Sequence, residues 1–253
     1  MIRENVSRAI KFWTTIGVII VVLVIAGIII LNYNMEGETR LTYKLTKISI
    51  ISTAEGIEDT SDETDENAWN LNVIQINDLY ISIDRTEFAK EELLTGLRIE
   101  NIEIVKSPMR GHVKPYMPNS LDGRVYNYIN DYLVQDKLQY TGAAKSNSKT
   151  LEIGNKGGLA LISFANTDLG NFTSTEGNAE IKHDGTLLSK INSTEPLKEE
   201  ELKFSVKFDL IIQIDNNSYK GTVQTDLPCG DLMEKGTAIL EVTDFSNVVF
   251  KKI

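Results

Sequence analysis

Cysteine, histidine and proline are scarce in this chain, and each scarcity removes a class of function. Cys229 is the only cysteine in 253 residues, so no intramolecular disulfide can form and stability must come from packing. Flanked by Pro228 and Gly230, it reads as a small buried hydrophobe rather than a nucleophile or a dimer link. His112 and His183 are the only histidines. Two isolated imidazoles do not make a metal site, which needs further ligands at defined spacing. Neither lies beside a G-x-S-x-G nucleophile motif.

Other nucleophile and phosphate patterns are equally thin. Ser146-Asn147-Ser148-Lys149 satisfies S-x-x-K, in which a lysine activates a serine, but the partner motifs are missing and the stretch reads as a polar turn. Gly154-Asn155-Lys156-Gly157-Gly158 lacks the G-K-[ST] ending of a phosphate loop and suits a hairpin turn. The residues therefore nominate no catalytic and no cofactor-binding side chain. They predict a protein that is not an enzyme and carries no cofactor.

Basic residues are in deficit. The net charge is −10. The first 34 residues hold Arg3, Arg8 and Lys11 against Glu4, so the remainder stands near −12. Such a surface repels phosphate backbones and gains nothing from counterion release, which argues against nucleic acid as a partner. By the same reasoning the domain is held off anionic lipid. Between Ala54 and Ala68 lie Glu55, Glu58, Asp59, Asp62, Glu63, Asp65 and Glu66. These carboxylates offer hard oxygen ligands of the type calcium takes, but no D-x-D-x-D-G run is present, so a solvated acidic loop explains them and any metal stays unknown.

What the chain does have is one long uncharged run. From Phe12 to Leu31 the sequence reads FWTTIGVIIVVLVIAGIIIL. Twenty helical residues cover about 30 Å, the hydrocarbon thickness of a bilayer. Trp13 and Tyr33 sit at its ends, where amphipathic rings favour the headgroup level. Arg3, Arg8 and Lys11 precede it, so the positive-inside rule puts the amino terminus in the cytoplasm and the rest outside. A cleavable signal peptide is the weaker reading: Val24-Ile25-Ala26 fits a small-residue site, yet the apolar run continues past it. The expected organisation is a tail over 1–11, a membrane helix over 12–31, a tether over 32–40 and an extracytoplasmic β domain over 41–253.

Beyond the tether, apolar residues alternate with period two, as in half-buried strands. Leu41, Tyr43 and Leu45 hold one phase, and Ile48 and Ile50 the other, which predicts a bulge at Thr46-Lys47. Trp69 to Val73 and Leu79 to Ile83 read as two strands separated at Asn77-Asp78. Leu97 to Ile104 form another with a phase slip, and Leu151 and Ile153 pair with Leu159 to Phe164 across the glycine-rich turn. The clearest signal is a hairpin: even positions from Leu202 to Ile214 are apolar, Asp215 to Ser218 turn, and odd positions from Tyr219 to Leu227 continue. Ala238 to Val242 and Val248 to Phe250 supply closing strands. Residues 86–95 suit a short helix capped by Thr86 and ended by Gly96, 125–133 suit a strand, and the loop from Ser107 to Gly123 is the one place where two halves would divide.

The fold class that follows is mainly β, a sandwich or jelly-roll-like domain behind one transmembrane helix. The function that suits it is a non-enzymatic protein-interaction or assembly module of a cell envelope, partnered by another envelope protein or by itself. The Asn-, Ile- and Lys-rich composition suits an AT-rich bacterium. Strand addition along an exposed edge such as Leu41 to Ile50 is the expected mode. The alternatives are a lipid- or apolar-ligand module with a pocket lined by Phe204, Phe208 and Ile212, and an envelope hydrolase acting on glycan or peptide.

Overall fold

The computed structural model describes residues 2–58, 69–116, 137–141, 152–154, 156–174, 186–191, 196–228 and 230–253. Helix α1 (Ile2–Glu36) comes first. Within it, Trp13–Glu36 is long and apolar enough to cross a membrane, and its Val, Ile and Leu side chains lie exposed rather than packed on the domain. The helix thus continues five residues beyond Leu31 into the segment read as a tether. It ends at Gly37, whose φ of +67° is left-handed and suited to glycine.

The rest of the described chain is mainly β. Its strands are β1 (Tyr43–Glu58), β2 (Trp69–Arg85), β3 (Leu94–Lys106), β4 (His112–Tyr116), β5 (Lys137–Thr141), β6 (Glu152–Gly154), β7 (Gly157–Ser174), β8 (Phe204–Ile214), β9 (Asn217–Leu227), β10 (Thr237–Val242) and β11 (Lys251–Lys252). Three short helices, α2 (Thr186–Ser189), α3 (Glu199–Leu202) and α4 (Leu232–Lys235), sit among the later strands. One antiparallel sheet has the order β10-β1-β2-β7-β4, with β6 also on β7; the other has the order β11-β9-β8-β3-β5.

The two sheets share one core. Ile48, Ile50, Leu79, Ile81, Ile83, Ile162 and Phe164 from the first meet Leu97, Ile99, Tyr140, Phe204, Phe208 and Ile212 from the second in a single apolar cluster. The even-numbered face of β8 is buried from Phe204 to Ile214, as its alternation requires. A second cluster closes the far ends of β1, β2 and β7, where Ala54, Leu71, Val73 and Leu169 pack under Leu187, Leu188, Leu202 and Leu232 of the short helices.

Several local expectations hold in detail. The register of β1 on β2 shifts between Leu45 and Lys47, where the phase of apolar residues changes. Likewise β3 slips between Glu100 and Glu103, with Asn101 at φ +53° supplying the extra residue. Hairpins β6–β7 and β8–β9 form as read. At Gly157 a Cβ would lie 2.1 Å from the Ile83 carbonyl oxygen, so the glycine-rich turn is dictated by its close approach to β2.

Others are overturned. Asn77-Asp78 is no turn: β2 runs unbroken through it, because Asn77 is buried and fully engaged with neighbouring strands. Residues 86–95 are no helix either. Thr86 does accept a hydrogen bond from the Phe88 N–H, but its own N–H goes to the Thr42 carbonyl and Leu94 already belongs to β3. Leu202 sits in α3 rather than at the head of β8. The loop from Ser107 contains β4, which pairs with β7, so the described part of that loop joins the first sheet. The remainder of the loop and the stretch 125–133 lie outside the described residues.

Candidate functional site

An interaction surface in a β protein is sought first at its sheet edges, where backbone N–H and C=O groups face outward. β1, read as an edge from Leu41 to Ile50, is interior only in part: it pairs with β2 along one side and with β10 over Ile48–Thr53 along the other, so β10 covers the Ile48–Ile50 end of that stretch. The edge moves to β10, which among the described residues pairs with β1 alone.

The edges differ in how they are guarded. β4 carries Lys114 and Pro115, and a proline has no N–H to offer a new strand. β11 is only Lys251 and Lys252. β5 is five residues long, and the segments on either side of it lie outside the described residues. By contrast β10 reads Thr-Ala-Ile-Leu-Glu-Val, with neither proline nor lysine. Its Ile239 is 69% exposed and Leu240 is 45% exposed. The one charge on the strand, Glu241, turns back over β1, where Lys47 Nζ stands 3.0 Å from its Oε1. Two apolar side chains are thus presented on opposite faces of an edge strand that carries neither proline nor lysine.

A second feature lies where α1 meets the domain. A cleft of about 460 Å³ is lined by Leu41, Leu45, Phe88, Phe245, Val248 and Phe250, with Glu36, Glu38, Lys44 and Arg85 among its polar residues. Its walls are tied together by hydrogen bonds: Glu38 N–H donates to the Phe250 carbonyl at 2.7 Å, and the Thr86 hydroxyl donates to the Leu41 carbonyl at 2.6 Å. Phe204, Phe208 and Ile212, expected to line a pocket, are instead buried in the common core.

Polar groups inside the first sheet serve the register. Ser52 Oγ donates to Asn77 Oδ1 at 2.7 Å, Gln75 Nε2 donates to the same oxygen at 3.3 Å, and Asn77 Nδ2 donates to the Phe164 carbonyl. This layer separates the two apolar clusters beside the bulge between Val73 and Gln75. A one-residue slip would strand these groups unpaired, so they hold β1, β2 and β7 in place. On the outer face of the second sheet, Asp209 accepts hydrogen bonds from Asn101 Nδ2 at 2.8 Å, Thr222 Oγ1 at 2.7 Å and Lys220 Nζ at 3.3 Å. Burial pushes its carboxyl up, but those donors and the lysine charge outweigh it and hold it below the usual aspartate range.

The other residues singled out in the sequence do not converge. His112 faces Asp168 at 3.2 Å, with both side chains more than 70% exposed. That is a surface pair, not a cleft in which imidazole chemistry is shielded. His183, Cys229 and Ser146 to Lys149 lie outside the described residues, as does most of the acidic stretch; Ala54 to Glu58 form the end of β1. Among the described residues no group of three or more His, Cys, Asp or Glu could hold a metal ion. The β10 edge is a feature the sequence read only as a closing strand, since edge status depends on sheet order. Compared with protein-family models, with curated proteins and with solved structures, the chain shows no significant match to any of them.

Proposed function

We propose that this chain is a single-pass, membrane-anchored β-sandwich of a cell envelope, amino terminus in the cytoplasm and sandwich outside, that binds an envelope protein by adding a partner strand to β10. The observation that carries the reading is the contrast among edges: β4 and β11 bear proline or lysine, whereas β10 presents exposed Ile239 and Leu240. Backbone hydrogen bonds along six residues would supply affinity, and pockets for alternate side chains would supply choice of partner. The role is one of binding rather than catalysis.

A photoreactive residue placed at 239 in the full chain, with a second at 114 on β4, tests this in intact cells. The expected result is one discrete adduct from position 239, much weaker from 114. Replacing Leu240 by Lys should abolish that adduct while leaving stability within about 0.5 kcal/mol, as for a surface change. No adduct from 239, or one that survives Leu240→Lys, sinks the reading. An adduct of twice the chain's mass would identify the partner as a second copy.

The cleft beside α1 favours a second reading, an apolar-ligand module at the membrane. Its apolar wall of Leu41, Leu45, Phe88 and Phe250 suits an acyl chain. Native mass spectrometry of the purified chain would show a retained lipid, lost on Leu45→Arg, if this reading is correct.

A further inference from the structure

The height at which α1 joins the domain decides where the domain stands relative to a bilayer. The apolar run ends at Leu31, with Asn32 next, and the helix ends at Glu36, five residues later. At 1.5 Å per residue those five residues climb about 7.5 Å. The headgroup layer on each side of the hydrocarbon is roughly 5–8 Å thick, so Glu36 lies at its outer margin. Part of the domain reaches lower still. Lys252 N–H donates to the Tyr33 hydroxyl at 2.9 Å, two residues beyond the apolar run. Helical side chains lean toward the amino terminus, so that hydroxyl sits no higher than the Tyr33 backbone. The carboxyl-terminal strand is therefore held within the headgroup layer.

The same end of the sandwich gathers the β2–β3 loop and the β8–β9 turn. Tyr43 pairs with Arg85, Leu94 with Ile214 and Lys252 with Tyr219, and Leu93 N–H donates to Asp215 Oδ1 at 3.1 Å. From this end Phe88 is 44% exposed and Leu93 is 50% exposed. Its charge also differs from that of the whole. Segments 36–44, 85–93, 214–218 and 251–253 hold as many lysines and arginines as acidic side chains, against the strong acidic excess elsewhere. Repulsion from lipid, expected from net charge, does not apply at this face.

We infer that this end is a membrane-docking surface: Phe88 and Leu93 enter the headgroup region of the bilayer that α1 crosses, and the sandwich stands on the membrane in a fixed pose rather than swinging on a tether. Aromatic and apolar side chains favour that depth, and Lys251 and Lys252 are placed to meet lipid phosphates. The inference rests on the membrane-anchor reading of α1 but holds for either orientation of the helix.

The test uses the full chain in phosphatidylcholine vesicles, with Cys229→Ser and one labelled cysteine in place of Val22, Lys90 or Ile239. Lipids bearing nitroxide quenchers in the headgroup or at mid-chain are added. The inference expects position 22 to be quenched by mid-chain nitroxides and position 90 by headgroup nitroxides several-fold more than position 239. Phe88→Ser with Leu93→Ser should bring position 90 down to the level of 239. If position 22 is quenched while 90 and 239 behave alike, the docking is wrong and the anchor stands. If position 22 is untouched, the anchor reading fails and the docking with it.

Discussion

Removing the Asp209 carboxylate is the sharpest test of the second sheet. Asp209 is mostly buried on the outer face of β8 and ties that strand to two others, β3 through the Asn101 bulge and β9 through Thr222 and Lys220. Hydrogen bonds to a charged group are worth about 1.5–3 kcal/mol each when the alternative is an unsatisfied partner. Here the donors are partly exposed; the Lys220 side chain is 43% exposed. They recover much of their bonding from water, so Asp209→Ala should cost about 2 kcal/mol rather than the 3–5 of a fully buried pair. The folded carboxyl titrates below the unfolded one. The stabilisation is therefore complete above the unfolded value of about pH 4 and is lost as pH falls through the lower folded value. Urea unfolding of the full chain in detergent, followed by Trp69 fluorescence with Trp13→Phe to silence the helix, measures the gap between parent and Asp209→Ala. Asn101→Ala should capture part of that gap and be non-additive with it. A gap under about 0.5 kcal/mol at pH 7, or one as large at pH 2 as at pH 7, would refute the reasoning.

Two further perturbations address the core and the joint. Phe208 is fully buried where the sheets meet, so Phe208→Ala should cost about 3–5 kcal/mol in the same urea assay, and a loss under 1 kcal/mol would mean the sheets do not share that core. At Gly37 an added Cβ would lie 2.3 Å from the Phe250 carbonyl oxygen and 2.7 Å from Val249 Cγ1, at a left-handed φ. Gly37→Ala should loosen the joint: limited proteolysis over residues 36–42 should quicken several-fold while the urea midpoint hardly moves, and unchanged cleavage would count against a packed joint.

How much of this was legible in the sequence depends on whether a feature is local. The bulge at Leu45–Lys47, the slip in β3 and the β8–β9 hairpin were readable because period-two alternation and turn residues report directly on one strand or one turn. Asn77-Asp78 misled because the same residue types that favour turns also serve as buried hydrogen-bonding groups, and only Ser52, Gln75 and Phe164, brought in from other positions, reveal which role applies. Residues 86–95 have helical composition, yet both ends are seized by strands. Arg85 closes on Tyr43 in one sheet and Leu94 opens on Ile214 in the other, so the residues between them must cross from sheet to sheet. Tertiary pairing overrides a weak propensity there.

The candidate surfaces were less legible for a related reason. Nothing in Thr237 to Val242 distinguishes an edge from a central strand, since Ile239 and Leu240 would suit burial equally well. Their exposure follows from β10 being last in its sheet, a fact about strand order. The proposed docking end is similar: Phe88 and Leu93 are ordinary core-type residues until the pairings of β1 with β2, β3 with β8 and β9 with β11 gather the β2–β3 loop at one end. Net charge averages over the whole surface and so does not register the balanced charge of this one end. If that end fixes the pose of the two sheets, β10 is held at a set height as well. Its pairing with β1 begins at Ile48, five residues past Tyr43, which at about 3.3 Å per residue is roughly 16 Å along the strand from the joint. A partner strand must be presented at that position, beyond the headgroup layer, so a segment lying on the lipid surface would not reach it. The two surfaces therefore constrain each other: loosening the joint with Gly37→Ala should weaken strand addition at β10 without any change to β10 itself.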